Sequence, residues 1–123
     1  MKKNLYNEKY AKEIANYTKE ELEDEIDRLF GENNGDAFDD SRLYTCRHKL
    51  TKFMEQEDGW YHWGGVTDVY VSDGYIAHGT IGKGIHHRSV CVYEPSPYGG
   101  GGSDRVYGGV TPDELLSGSY SLQ

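Results

Sequence analysis

The segment 59–94 constrains the fold most. It opens Gly-Trp-Tyr-His-Trp-Gly-Gly and continues as three runs rich in Val, Ile, Thr and Tyr, broken at Asp73-Gly74 and at Gly82-Lys83-Gly84. β-Branched and aromatic side chains suit a pleated, half-buried surface, and Asp-Gly is the pair a two-residue hairpin turn selects. The pattern predicts an antiparallel meander with strands over 66–72, 75–81 and 85–94. A tight turn at Asp73-Gly74 would pair Ser72 with Tyr75, Val71 with Ile76 and Val69 with His78. Alternation then puts Val69, Val71, Ile76 and Val90 on one face and Tyr70, Tyr75, Ser89, Cys91 and Tyr93 on the other. The apolar face must be covered.

Residues 1–57 hold the cover. A short helix is predicted from Asn7 to Ala15. Thr18-Lys-Glu-Glu21 is a capping box, in which the Thr hydroxyl and the Glu carboxylate satisfy each other's orphan backbone amides, and Tyr17 can staple onto Leu22. Leu22, Ile26, Leu29 and Phe30 form one stripe, with Gly31 as the expected terminator. Asp39, Asp40 or Ser41 can cap a further helix reaching about Glu55. Its stripe is Leu43, Cys46, Leu50 and Phe53 or Met54, and Arg42, Arg47, Lys49 and Lys52 are assigned to its exposed side. Residues 95–110 read as a Gly-rich loop around four consecutive glycines. Thr111-Pro-Asp-Glu114 is a second capping box opening a short helix, so that 111–118 is helical.

The expectation is a single α+β domain over 1–123, its two to three N-terminal helices packed on one face of a meander of three to five strands (58–94), with a short C-terminal helix. The core is staked on Leu22, Ile26, Leu29, Leu50, Phe53, Val69, Val71, Ile76 and Val90. No apolar run approaches a membrane span and the N-terminus has no signal-like stretch, so a cytoplasmic protein with two reduced, buried cysteines is expected.

Charge is the other informative feature. Residues 20–40 carry ten acids against Arg28 alone, a local charge of −9 in a chain whose total is −8. Such a balance argues against direct nucleic-acid binding, which needs a basic surface. The following basic helix can neutralise part of the acid, and the remainder must face solvent. Glu20, Asp24 and Asp27 share a helix face with Glu23 beside it, and Asp36, Asp39 and Asp40 extend the run. These seven are the candidate contact residues for a basic protein surface, such as that of a nuclease or another nucleic-acid-binding enzyme. In size, acidity and lack of motifs the chain is similar in character to phage and mobile-element inhibitors such as anti-CRISPR and DNA-mimic proteins. The function expected is therefore non-enzymatic inhibition by protein binding.

Two alternatives stand beside it. The predicted meander brings His78, His86 and Arg88 together at one sheet end, with Lys83 in the adjoining turn and Arg105 in the loop beyond. Cations near glycine amides suit a nucleotide or another small anion. The pairs His78-Gly-Thr80 and His87-Arg-Ser89 resemble the His-x-Thr/Ser motifs of two-histidine phosphoesterases. That family sets its motifs in separate lobes, whereas here they sit close together and point to opposite faces. Cys46, His48, His62 and Cys91 lack a zinc-knuckle spacing, the glycines around Lys83 do not form a phosphate loop, and nothing calls for a cofactor. Trp60-Tyr61-His62-Trp63 reads either as a core corner or as an exposed stacking platform.

Overall fold

A computed structural model describes residues 5–32, 40–72, 88–94 and 105–118. The chain runs α1 (Glu8–Glu13), α2 (Lys19–Glu32), α3 (Ser41–Met54), β1 (Gly59–Gly64), β2 (Thr67–Ser72), β3 (Ser89–Glu94), β4 (Arg105–Gly108) and α4 (Pro112–Ser117). It is an α+β fold, with helices against one face of a four-stranded antiparallel sheet of order β1-β2-β3-β4. Among the described residues no helix is long and apolar enough to cross a membrane.

Local chemistry explains the helix starts. Asn7 caps α1 through its side-chain oxygen. At α2 the Thr18 hydroxyl accepts from the Glu21 amide at 3.1 Å while Glu21 accepts from the Thr18 amide at 2.9 Å. Asp40 caps α3 by accepting from the Leu43 amide, and Thr111 and Glu114 form a reciprocal box at α4. α4 ends at Gly118 in the left-handed conformation (φ 74°), which a residue without Cβ adopts freely. α2 does not stop at Gly31 as expected. It continues to Glu32, whose carboxylate pairs with Arg28 one turn back at 2.7 Å and holds the last turn.

Leu22, Ile26 and Leu29 of α2 meet Leu43, Cys46, Leu50 and Met54 of α3 and Val69, Val71, Val90 and Val92 of the sheet, all buried. Phe53 is only partly buried at the margin, and Ile76 lies outside the described residues. The acidic and basic helices are also joined directly, because Arg42 pairs with Glu25 of α2 and Glu13 of α1, each at 2.7 Å.

The sheet is an antiparallel meander, as expected, with its four described strands paired in chain order. Both edges of β2 are occupied, with Val71 opposite Gly59 of β1 and opposite Val90 of β3. Tyr75, Ile76 and His78, which the predicted turn pairs with Ser72, Val71 and Val69, lie outside the described residues. The aromatic segment after Gly59 takes one edge as β1, and residues 89–94 take the other. β4 was unexpected, since it lies within the stretch read as a Gly-rich loop. The Val106-Tyr107 pair gives that stretch enough β-character to close on β3, with Tyr107 opposite Val92 and buried.

Candidate functional site

Among the described residues β1 lies at an edge of the sheet, and its alternation sorts its aromatic residues. Tyr61 and Trp63 point into the core and are nearly inaccessible, while Trp60 points to the outer face and is 54% exposed. On that face Trp60 lies across from Tyr70, Asp68 lies across from Tyr93, and Tyr70 lies across from Cys91. The Trp60 ring centroid is 4.9 Å from that of Tyr70 and 5.0 Å from that of Tyr93, at tilts of 53° and 56°. The indole is thus braced by two phenols and still open to solvent. Val66, in the two-residue turn between β1 and β2, is 69% exposed. Gly65 opens that turn at φ 60°, the left-handed geometry such tight hairpins use.

α2 lies along β1 and seals it with side chains one turn apart. Lys19 sits over the Tyr61 ring at 4.2 Å. The Glu23 carboxylate accepts from the His62 backbone amide at 2.6 Å. Asp27 accepts from the Gly65 amide at 3.3 Å and bonds His62 Nε2 at 3.0 Å. His62 Nδ1 is 3.3 Å from Asp68 of β2. Satisfying the amides of an edge strand with carboxylates removes part of the template on which other strands could pair. Burial alone would lower the His62 pKa, but the hydrogen bonds and charges of Asp27 and Asp68 outweigh it, and the net shift is upward. Asp27 is held below the usual carboxylate range, chiefly by its hydrogen bond from His62.

The acidic candidates therefore divide. Glu20 and Asp24 are exposed, with no hydrogen bond or ion pair among the described residues. Glu23 and Asp27 are tied to β1, and Asp40 serves as the α3 cap. Asp36 and Asp39 lie outside the described residues, as do His78, Lys83, His86 and His87. Arg88 is described, and its charge is committed elsewhere. It donates to the Glu55 carbonyl at 3.0 Å and the Gln56 carbonyl at 3.4 Å, and pairs with Asp58. A guanidinium suits the carbonyl-rich end of a helix. Arg105 begins β4 opposite Glu94.

Arg47 corrects the reading of α3, because it is buried rather than on the exposed side. Leu43, Cys46, Arg47, Leu50 and Met54 follow the spacing of one helix face, so the stripe itself contained the signal. Trp60 was legible in the same way once the segment is a strand, since residues alternating with buried Tyr61 and Trp63 must face outward. Cys46 lies on the core stripe as expected, and burial pushes its thiol up to about 11. Among the described residues no group of three or more His, Cys, Asp or Glu is placed to hold a metal ion. No family model, curated protein or solved structure matches this chain.

Proposed function

We propose that this is a non-enzymatic protein-binding inhibitor whose contact surface is the outer side of β1. Trp60 is its anchor, and Glu20 and Asp24 of the neighbouring α2 are its acidic flank. The observation that carries the reading is a braced indole left more than half exposed. Large aromatics held rigidly at a surface are the side chains that dominate protein interfaces, because they bury much area for little lost freedom. The exposed carboxylates of Glu20 and Asp24, unpaired among the described residues, favour a basic partner and speed its approach. The net charge of −8 disfavours stacking of a nucleic-acid strand on the indole, because phosphates would meet like charge. A basic surface of a nucleic-acid-handling enzyme in the cytoplasm fits this chemistry, in the manner of phage or mobile-element anti-defence proteins.

The test is capture of partners from lysate on the immobilised full chain, followed by calorimetric titration with each purified partner. Trp60→Ala should weaken binding about tenfold or more. Glu20→Gln with Asp24→Asn should weaken it several-fold, with a shallower salt dependence. A partner that binds both variants as tightly as the parent chain would overturn the proposal.

A further inference from the structure

A half-open slot of about 180 Å³ lies between α1 and α3. Tyr6, Ala11 and Ile14 form one wall. The other wall is a single face of α3, since Thr45, His48, Lys49 and Lys52 recur at the spacing that stacks side chains along a helix. The small Ala11 side chain leaves the space open, and three links keep the walls apart. The Asn7 amide donates to the Thr45 hydroxyl at 3.1 Å, the Ser41 hydroxyl donates to the Leu5 carbonyl at 2.6 Å, and Glu13 of α1 pairs with Arg42 of α3. The Tyr6 ring meets His48 edge-on at 4.8 Å. The slot is preformed.

Its electrostatics run against those of the protein as a whole. Lys49 has no ion pair among the described residues, and Lys52, itself exposed, shares its charge only loosely with half-buried Glu55 at 3.5 Å. His48 is pushed below its usual range by burial and then by Lys52. Two cations therefore stand at the mouth of a largely apolar recess. An apolar cavity of about 150 Å³ accommodates benzene, so this slot has room for one ring and a small polar group.

We propose that the slot binds a small aromatic carboxylate, the ring between Ala11, Ile14 and Tyr6 and the carboxylate at Lys49 and Lys52. Benzoate is the probe, with benzamide as its neutral counterpart and inorganic phosphate as an anion lacking the ring. Amide chemical shifts of the full chain are followed in a titration with each. Benzoate should give saturable shifts at Tyr6, Ala11, Thr45 and His48 with a millimolar dissociation constant. Benzamide should bind about fivefold more weakly, and Lys49→Gln with Lys52→Gln should weaken benzoate by about tenfold, as expected for half-exposed ion pairs. Ala11→Leu, a substitution a helix tolerates, should fill the slot and abolish the shifts. If that variant does not fold, the lysine pair still decides. The proposal is overturned if benzoate gives no saturable shift by about 20 mM, if benzamide binds equally well, or if phosphate shifts the same amides as strongly.

Discussion

The guanidinium of Arg47 lies over the indole of Trp63, 4.9 Å from its centroid, and donates from Nε and Nη2 to the carbonyl of that same residue. The pairing of β1 with β2 shifts register between His62 and Gly64, which frees Trp63 from the ladder and leaves its carbonyl to a side chain. Arg47 is buried there and also faces the Phe30 ring. A cation placed so deep is retained by this carbonyl and these rings.

Arg47→Ala should therefore destabilise the protein by about 2–4 kcal/mol, because it strands a buried carbonyl and opens a cavity. Arg47→Lys should recover only part of that, since an ammonium cannot reproduce the planar fork. Urea unfolding followed by circular dichroism measures both. A lysine variant as stable as the parent would show that the fork contributes nothing.

Three glycines separate backbone strain from packing. Gly64 stands at φ 129°, and a Cβ there would come within 2.8 Å of Arg47 Nη2 and 3.1 Å of Phe30 Cδ2. Gly64→Ala should cost about 2 kcal/mol or more. Gly59 has nearly the same φ, 132°, with nothing in reach among the described residues, so Gly59→Ala should cost about 1 kcal/mol, from the backbone alone. Gly31, helical and with nothing near a Cβ among the described residues, should gain about 0.5–1 kcal/mol as Ala. Equal losses at positions 59 and 64 would mean that the close approach to Arg47 is unimportant.

Because the folded-state pKa of His62 lies above its ordinary value, the stabilisation from its charged form is full below the unfolded pKa. It is lost as pH rises through the folded pKa. His48, shifted downward by burial, has the opposite sign, and its contribution is lost as pH falls. Comparing the parent with His62→Gln isolates the first effect. The stability difference should shrink as pH rises between about 6 and 8. A difference independent of pH would show that Asp27 and Asp68 do not favour the imidazolium.

On α2, neighbouring acids should behave differently. Glu20→Gln with Asp24→Asn should change stability by less than about 0.5 kcal/mol, since both are exposed and unpaired among the described residues. Glu23→Gln weakens a charge-assisted bond to the edge of β1 and should cost about 1 kcal/mol. Thermal melts of the two variants check this. An inert Glu23→Gln would place that carboxylate with the free acids.

What sequence alone determined was local. The caps at Thr18 and Thr111, the stripe Leu22-Ile26-Leu29 and the inward positions of Val69, Val71 and Val90 follow from hydrogen-bonding capacity and periodicity within a few residues, and each is found as expected, while of Asp39, Asp40 and Ser41 the structure selects Asp40 as the α3 cap. Strand partners were not legible, because Asp73-Gly74 offers a local turn while the choice of neighbour for β2 depends on what fills both its edges. There the aromatic strand β1 and the distant β3 form the pairs. Nor could sequence tell which carboxylates of one acidic helix remain free. Glu20 and Asp24 differ from Glu23 and Asp27 only in which of them meet β1, and that depends on how α2 lies on the sheet. Trp60 and Trp63 likewise differ by three positions in one strand, yet one is solvent-exposed and the other lies under Arg47. Side-chain chemistry is a property of the residue, but burial and partnership are properties of the packed whole, so the candidate surface appears only in the tertiary structure.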